Sequence, residues 1–248
     1  MTMATDTHTT DFWNDVYQTR EIQIAHPDHP VAKAAIAHFG DLKGKRILDI
    51  GCGAGEFALL FASLGAEVVA VDISEVSIGK LKAFCDAHGI TSLTPLVAQA
   101  HDVAAHGPFD FAFGTLVLHH LEPFEAFADV LKAALTPGGK AFFFENNAAI
   151  GPVAIWFRQH LAGKFWFPKY GDKEEFPLTS AEVDALRSRF KVDIHYPELA
   201  YFRLVSHYVF RYKLLPKAFN WLDDTFYQVP WFRKYSYYQY LFLTRETA

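Results

Sequence analysis

The sequence predicts an α/β protein with a doubly wound, mostly parallel sheet of seven strands and a helical, aromatic cap inserted in its C-terminal half. Between residues 45 and 140, short apolar runs alternate with helical stretches, a pattern typical of parallel strands joined by right-handed crossovers. The apolar runs are nearly continuous, which indicates a sheet covered on both faces. After residue 147 this rhythm stops, and 25 of the 40 aromatic residues follow residue 150.

Each strand and helix follows from a local signal. Strands are expected at 46–50, 67–71, 94–98, 109–113, 140–145, 191–195 and 237–244. Helices are expected at 56–64, 75–88, 123–134 and 179–190, and a helical insertion interrupted at Pro216 is expected at 201–221. Thr179-Ser-Ala-Glu182 fits the capping box that opens many helices. Thr136-Pro-Gly-Gly139 is typical of a turn.

Composition limits the classes of protein that fit. The chain has 248 residues and a net charge of −5, with −9 on residues 1–150 and +4 on residues 151–248. An acidic first part argues against a broad nucleic-acid surface. No run approaches the ~20 apolar residues of a membrane-spanning helix, and residues 1–10 do not resemble a signal peptide. Two cysteines, Cys52 and Cys85, suit a reducing compartment, so we expect a cytoplasmic protein.

The strongest motif is a glycine loop between the first strand and the first helix, Ile47-Leu-Asp-Ile-Gly-Cys-Gly-Ala-Gly55. Asp72 ends the second strand, where a carboxylate can accept the two hydroxyls of a ribose. A dinucleotide loop carries a third glycine at the position that Glu56 occupies here. Glu56 and Asp49 would both repel a diphosphate. The loop therefore favours a ligand that carries an ammonium and a sulfonium over a nicotinamide dinucleotide.

At these residues the chain resembles the class I S-adenosylmethionine-dependent methyltransferase family. The resemblance covers residues 44–145 and continues at Phe109–Phe113, Val117-Leu-His-His-Leu-Glu-Pro123 and Leu135-Thr-Pro-Gly-Gly-Lys140. It implies a Rossmann-like fold, S-adenosylmethionine as cofactor, S-adenosylhomocysteine as product and a small-molecule acceptor. It also implies one domain in three parts: a tail and lid helix at 1–43, the cofactor-binding core at 44–147, and cap insertions with the last strands at 148–248.

The resemblance also implies a set of cofactor-binding residues. The methionine end belongs to Asp49 and Gly51 and the ribose to Asp72, and Gly53 is a further cofactor-binding residue of the loop. Ile73, Gln99 and Ala100 are expected beside the adenine, although Gln99 replaces the acid that is usual in the family. Thr115 and Leu116 are expected beside the sulfonium.

Two residues are candidates for catalysis. His120 follows the fourth strand, where similar small-molecule methyltransferases carry a working histidine, and an imidazole can accept a proton near neutral pH. The alternative for His120 is packing of the short helix there, and its neighbour His119 is expected to point elsewhere. Tyr17 lies in Asp11-Phe-Trp-Asn-Asp-Val-Tyr17, which resembles the helix that closes over the cofactor in many members. Its phenol would orient a substrate, or it would lie at the edge of a packed stripe.

The substrate side is less defined by sequence. Glu145 and Asn146 end the fifth strand, where they would bind a polar substrate group or satisfy the fold itself. The segments 151–176 and 196–235 are rich in aromatic and basic residues, and Arg158, Trp166 and Tyr170 are the substrate-binding candidates. Three interpretations stay open for these segments: a pocket for a hydrophobic or aromatic molecule, a peripheral membrane contact, or a small core or dimer contact. His26 and His29 alone do not indicate a metal site.

The sequence therefore predicts transfer of a methyl group from S-adenosylmethionine to an oxygen or nitrogen of a hydrophobic small molecule, with carbon left open. One alternative is a protein that binds the cofactor without catalysis, as a partner or regulatory protein. A second, opposed by Glu56 and Asp49, is a nicotinamide-dependent oxidoreductase.

Overall fold

A seven-stranded sheet forms the centre of the molecule in the computed structural model, which describes residues 7–147, 177–208 and 216–247. The strand order is β3-β2-β1-β4-β5-β7-β6. The strands are β1 Arg46–Ile50, β2 Glu67–Asp72, β3 Leu93–Val97, β4 Phe109–Thr115, β5 Leu135–Asn146, β6 Lys191–His195 and β7 Tyr238–Thr244. All neighbours pair in parallel except that β7 runs antiparallel to both β5 and β6.

Helices lie on both sides of this sheet. In the described residues they are α1 Thr7–Gln18, α2 Pro30–Phe39, α3 Glu56–Ser63, α4 Glu75–His88, α5 Phe124–Ala134, α6 Ser180–Arg187, α7 Tyr201–Tyr208, α8 Pro216–Tyr227 and α9 Pro230–Arg233, with short 3-10 helices at Ala100–His106 and Leu118–His120. None of the helices in this described part is long and apolar enough to cross a membrane.

The core has two layers, one on each face of the sheet. The face covered by α2 and α3 buries Phe39, Phe61 and Phe142, while the face covered by α5 and α6 buries Phe127 and Leu186. Burial on both faces explains why the strand sequences are continuous apolar runs rather than alternating ones. The prediction of a doubly wound, mostly parallel sheet is confirmed.

Some element predictions were wrong in detail. Helix α2 was not predicted, although His29 caps it through its ring and Pro30 occupies the first turn, where a missing N–H costs nothing. The helix that the capping box of Thr179 opens ends at Arg187 instead of residue 190. The expected insertion at 201–221 contains two helices, and Pro216 begins the second one.

The predicted turn at 136–139 belongs to β5. Leu135 pairs with Phe109 and Lys140 with Phe111, so the register shifts between these pairs. The chain turns here as predicted: Gly138 has a φ of +77°, and a Cβ at Gly139 would lie 2.8 Å from the Thr136 carbonyl oxygen. Arg245, after β7, pairs with this turn: its N–H donates to the Gly139 carbonyl at 2.8 Å, and its carbonyl accepts from Gly138 at 2.9 Å.

Candidate functional site

The glycine loop lies at the carboxyl ends of β1 and β2, the edge where doubly wound sheets bind ligands. Gly51 has a φ of +63°, and a Cβ there would come within 2.5 Å of Val117 Cγ2. Gly53 has a φ of +52°, and a Cβ there would collide with the Tyr17 hydroxyl. These two positions need glycine for the left-handed backbone and for the close approach of a neighbour.

Asp72 is the acidic group directly beside this loop. Its two carboxylate oxygens accept the N–H groups of Gly53 and Ser74, each at 2.9 Å. Each oxygen keeps a second lone pair for another donor. Asp72 is 8% exposed, and burial raises the pKa of its carboxyl group above the ordinary value.

Asp49 is a second buried carboxyl group at the same edge. It is 3% exposed, and its pKa lies well above the ordinary value, first because of burial and then because of the charge on Asp72. Within the described residues, neither Asp49 nor Asp72 forms an ion pair with a lysine or arginine. Two buried carboxylates without a cation favour a ligand that brings positive charge.

Helix α1 covers this edge of the sheet and is fastened to α4 at two points. Near its middle, Asn14 Oδ1 accepts the Ser74 hydroxyl at 2.8 Å and the Val76 N–H at 3.3 Å. At its C-terminal end, the Lys80 ammonium donates to the Tyr17 carbonyl at 2.7 Å and to the Gln18 carbonyl at 2.5 Å. Because carbonyls at a helix C-terminus lack partners within the helix, the lysine acts as their cap.

The Trp13 ring contacts both candidates for catalysis, Tyr17 and His120. Trp13 of α1 stacks on Tyr17 with centroids 6.0 Å apart and meets the His120 ring edge-on at 5.8 Å. Burial, followed by the charge of Asp72, raises the pKa of the Tyr17 phenol far above its ordinary value. Tyr17 therefore stays protonated at neutral pH and can donate a hydrogen bond but cannot serve as a base.

The segment that carries His120 is the β4 turn, residues 115–120. Leu116 has a φ of +51°, unusual for a residue other than glycine, and its side chain is 40% exposed. Val117 points inward against Gly51 and Gly114. Thr115 ends β4 and is half-buried. Thr115 and Leu116 directly precede Val117, which contacts Gly51, and their place beside a sulfonium stays a prediction.

Glu145 belongs to the same neighbourhood but is fully buried, at 0% exposure. One carboxylate oxygen accepts the N–H groups of Val117 at 2.7 Å and Leu118 at 2.6 Å. The other lies 2.7 Å from His119 Nδ1. This geometry favours the second of the two roles considered for Glu145, satisfaction of the fold, over contact with a substrate.

The remaining predicted site residues fall into three groups. Just after β3, the Ala98 N–H donates to the Asp72 carbonyl at the end of β2 at 3.1 Å. This hydrogen bond brings the chain at Gln99 and Ala100 close to Asp72 and Ile73. Asn146 is half-buried, and its carbonyl accepts from the Gln239 side chain at 3.3 Å. The substrate candidates Arg158, Trp166 and Tyr170 lie outside the described residues.

The charge on Glu56 has a partner that the sequence did not reveal. Arg20, just after α1, lies 3.2 Å from the Glu56 carboxylate. The side chains of Arg20 and Glu56 are 52% and 32% exposed. Their ion pair therefore weakens, but does not remove, the repulsion between Glu56 and a diphosphate.

A metal site is not indicated in the described ranges, since no group of three His, Cys, Asp or Glu residues there could hold a metal ion. The ring of His29 instead accepts from the Val31 N–H at the start of α2.

Known proteins carry the same sequence and fold features. The family model described as a methyltransferase domain matches residues 24–183, more than half of the chain. The chain belongs to this methyltransferase family. The predicted resemblance is therefore confirmed.

Curated relatives share part of the sequence. The chain is 34% identical over 129 residues to the ubiquinone biosynthesis O-methyltransferase of Paraburkholderia phymatum, covering 51% of this chain and 55% of that protein. It is 30% identical over 154 residues to the protein of the same name from Idiomarina loihiensis, covering 60% and 62%. The chain thus matches little more than half the length of these curated relatives.

Solved structures share the fold over nearly the whole chain. Magnesium protoporphyrin IX methyltransferase from Synechocystis PCC 6803, with bound S-adenosylhomocysteine, has a TM-score of 0.63 at 16% identity and covers 98% of this chain and 100% of that one. An S-adenosylmethionine-dependent methyltransferase from Mesorhizobium loti has a TM-score of 0.57 at 21% identity, covering 88% and 99%. At these identities the likeness concerns the fold, and it confirms the Rossmann-like prediction.

Proposed function

We propose that the chain transfers a methyl group from S-adenosylmethionine to an oxygen of a small molecule. One observation carries the proposal: two buried carboxyl groups, Asp49 and Asp72, flank a glycine loop, and no lysine or arginine of the described residues pairs with them. S-adenosylmethionine carries a sulfonium and an ammonium and has a ribose for Asp72. Oxygen is favoured over nitrogen or carbon because the curated relatives are named O-methyltransferases.

The residues of the site have distinct roles in binding the cofactor. The second lone pairs of the Asp72 oxygens would accept the ribose hydroxyls, and Gly51 and Gly53 leave the backbone open to the methionine end. Asp49 compensates positive charge from below the loop. Ile73, Gln99 and Ala100 line the adenine side, while Thr115 and Leu116 lie beside the sulfonium.

The transfer itself needs alignment, dehydration and removal of one proton. The bound cofactor supplies an electrophilic methyl group on a good leaving group. His120 would accept the proton of the substrate hydroxyl as the new carbon–oxygen bond forms. Protonated Tyr17 would donate a hydrogen bond to the substrate, and α1 excludes water from the edge of the sheet.

A hydrophobic or aromatic acceptor fits the surroundings of this site. Leu116 presents a 40% exposed apolar side chain next to the glycine loop. Phe144 and Tyr238 form a neighbouring aromatic pair, with centroids 4.9 Å apart, at the same end of β5. Trp221 and Trp231 are 63% and 60% exposed, and their rings are available for a peripheral membrane contact or a dimer contact. Free Cys52 and Cys85 favour the cytoplasm.

Cofactor binding is tested by thermal shift with S-adenosylmethionine, S-adenosylhomocysteine and NADH in parallel. A ligand at 100 times its Kd adds about 2.7 kcal/mol, which raises Tm by roughly 5–10 °C in a chain of this size. We expect both adenosyl ligands to shift wild type and Asp110→Asn, a carboxylate at the opposite end of β4, but not Asp72→Ala. A shift with NADH alone would overturn the proposal.

Transfer is tested with radiolabelled cofactor and a panel of phenols and hydroxylated quinone precursors. We expect turnover by wild type and a loss of about 100-fold in kcat for His120→Gln, within the range for loss of a general base. Cofactor binding without turnover on any acceptor would favour the alternative of a non-catalytic binding protein.

A further inference from the structure

The buried carboxylate of Glu145 stands at the centre of the β4 turn and has no part in the steps described above. We propose that Glu145 is a positioning residue: it fixes the conformation of the β4 turn and thereby the place of the His120 ring. The inference rests on the proposed function for the role of His120 in proton transfer, but its structural content can be tested without any turnover.

Three donors of the β4 turn converge on this one side chain. The consecutive N–H groups of Val117 and Leu118 donate to one oxygen at 2.7 and 2.6 Å. An ionised carboxylate only accepts, so His119 Nδ1 carries the proton and donates to the other oxygen at 2.7 Å. Charge-assisted hydrogen bonds of this kind are about twice as strong as neutral ones.

These bonds hold a backbone that would otherwise relax. A left-handed conformation at a leucine such as Leu116 costs about 1–2 kcal/mol. The cost persists only because the surroundings determine the turn. A second tie to β5 lies next to Glu145, since the Leu116 N–H donates to the Phe144 carbonyl at 2.7 Å.

The inward side chain of Val117 fixes the turn from the other side. A Cβ at Gly51 would lie 2.5 Å from Val117 Cγ2, and a Cβ at Gly114 would lie 2.8 Å from Val117 Cγ1. The valine therefore fills the gap between the glycine loop and β4. Rotation of the turn would pull this side chain out of its place, so the turn and the glycine loop keep one mutual arrangement.

His120 is held through this turn. Its N–H donates to the Val117 carbonyl at 3.0 Å, and its ring lies 4.1 Å from the ring of His119, centroid to centroid. The ring also meets that of Trp13 at an interplanar angle of 84°, with centroids 5.8 Å apart. Through the turn, Glu145 thus sets the position of the His120 ring beside His119 and α1.

The test compares Glu145→Gln with Asp223→Asn. Asp223 is a matched control because it is 3% exposed and accepts two backbone N–H groups, those of Phe202 at 3.0 Å and Arg203 at 2.8 Å, at the start of α7. The readout is the ring proton–carbon spectrum of His120 in the ligand-free full chain, assigned with His120→Gln. In wild type these protons feel the ring currents of His119 and Trp13.

We expect Glu145→Gln to lose the ring-current shifts of His120, because a neutral amide accepts the Val117 and Leu118 N–H groups more weakly than a carboxylate does. Its N–H group can also pair with His119 Nδ1 only after that nitrogen gives up its proton. Asp223→Asn should keep those shifts even though its Tm also falls. Wild-type shifts in Glu145→Gln would overturn the proposal. If Glu145→Gln does not fold, the double variant Glu145→Gln/Leu116→Gly removes the backbone strain and should regain Tm but not the His120 shifts.

Kinetics extend the same comparison. A misplacement of about 1 Å can cost about 100-fold in rate, so kcat of Glu145→Gln should fall by that factor while Kd for S-adenosylmethionine stays within about twofold. Lost His120 shifts with an unchanged kcat would contradict positioning for catalysis. Absence of turnover in wild type would instead contradict the proposed function, and the spectra would still report on the turn.

Discussion

At the scale of single residues, the site stores unfavourable electrostatic energy. Asp49 and Asp72 are both buried at the carboxyl edge of the sheet, and burial raises the pKa of each. A raised pKa in the folded state means that the charged form is less stable there than in the unfolded chain. The ligand-free protein therefore loses stability at neutral pH at a place where a cationic ligand would restore it.

We predict that Asp49→Asn raises the Tm of the ligand-free protein at pH 7 and weakens S-adenosylmethionine binding. The gain should shrink as pH falls through the raised pKa and vanish below about pH 4, where the unfolded-state carboxyl is also protonated. Each kcal/mol gained in the free energy of unfolding corresponds to a Tm increase of about 2–4 °C. Thermal melts between pH 3.5 and 8 measure it, and a Tm gain independent of pH would contradict the electrostatic explanation.

The sequence predicts some positions of the candidate site and misses others. The glycine loop and Asp72 can be predicted because they depend on a strand, a turn and a fixed spacing along the chain. The role of Glu145 is not, because its partners lie 26–28 positions earlier and depend on the exact path of the β4 turn. Asn14 and Lys80 carry no local signal at all, since they act on another helix.

At the scale of elements, α1 is fastened to α4 by polar contacts and packs the buried Tyr17 side chain against the glycine loop. Asn14 holds the N-terminal region of α4, and Lys80 caps the last carbonyls of α1. We expect α1 to open locally when these polar contacts are removed, because a region that loses contacts unfolds locally at lower cost.

We predict that Lys80→Met loosens α1, weakens S-adenosylmethionine binding about tenfold and changes Tm little. The matched control is Lys82→Met on the same helix, where the lysine only pairs with Asp86 at the exposed surface. Hydrogen exchange of the amides of residues 7–18 should speed up in the first variant alone. Equal exchange in both variants would show that the Lys80 cap does not fasten α1.

Prediction of elements succeeded where local pattern and tertiary packing agree. Strands β1 and β6 and helix α4 have the predicted bounds, since apolar runs and caps define them. The turn at 136–139 follows its local signal, with Gly138 at a φ of +77°, whereas its pairing with Arg245, more than 100 residues away, has no local signal. Helix α2 could have been predicted, because Pro30 at its start and Gly40 at its end are typical helix-boundary residues.

At the scale of the whole molecule, the sheet joins two of the three parts of the chain, residues 44–147 and 148–248. Strand β7 lies between β5 and β6, so the cofactor-binding part and the C-terminal part share one continuous sheet. The side chains of Phe142 and Phe144 contact Tyr240 and Phe242 across this seam. These contacts support the prediction of one domain.

We predict that a fragment of residues 1–147 does not form a stable monomer. Without β7, β5 becomes an open apolar edge, which favours association with other chains. Gel filtration and a circular dichroism melt of the fragment measure this. A monomeric fragment with a cooperative melt would contradict the single-domain prediction.

The position of β7 also has a consequence for how the protein is made. Ribosomes add about 5–20 residues per second, so the 98 residues from Asn146 to Thr244 take roughly 5–20 s. For that time β5 has been synthesised and its partner strand has not. A nascent chain in this interval exposes an unpaired apolar strand, and we expect its yield in cells to depend on chaperones that shield that strand during translation.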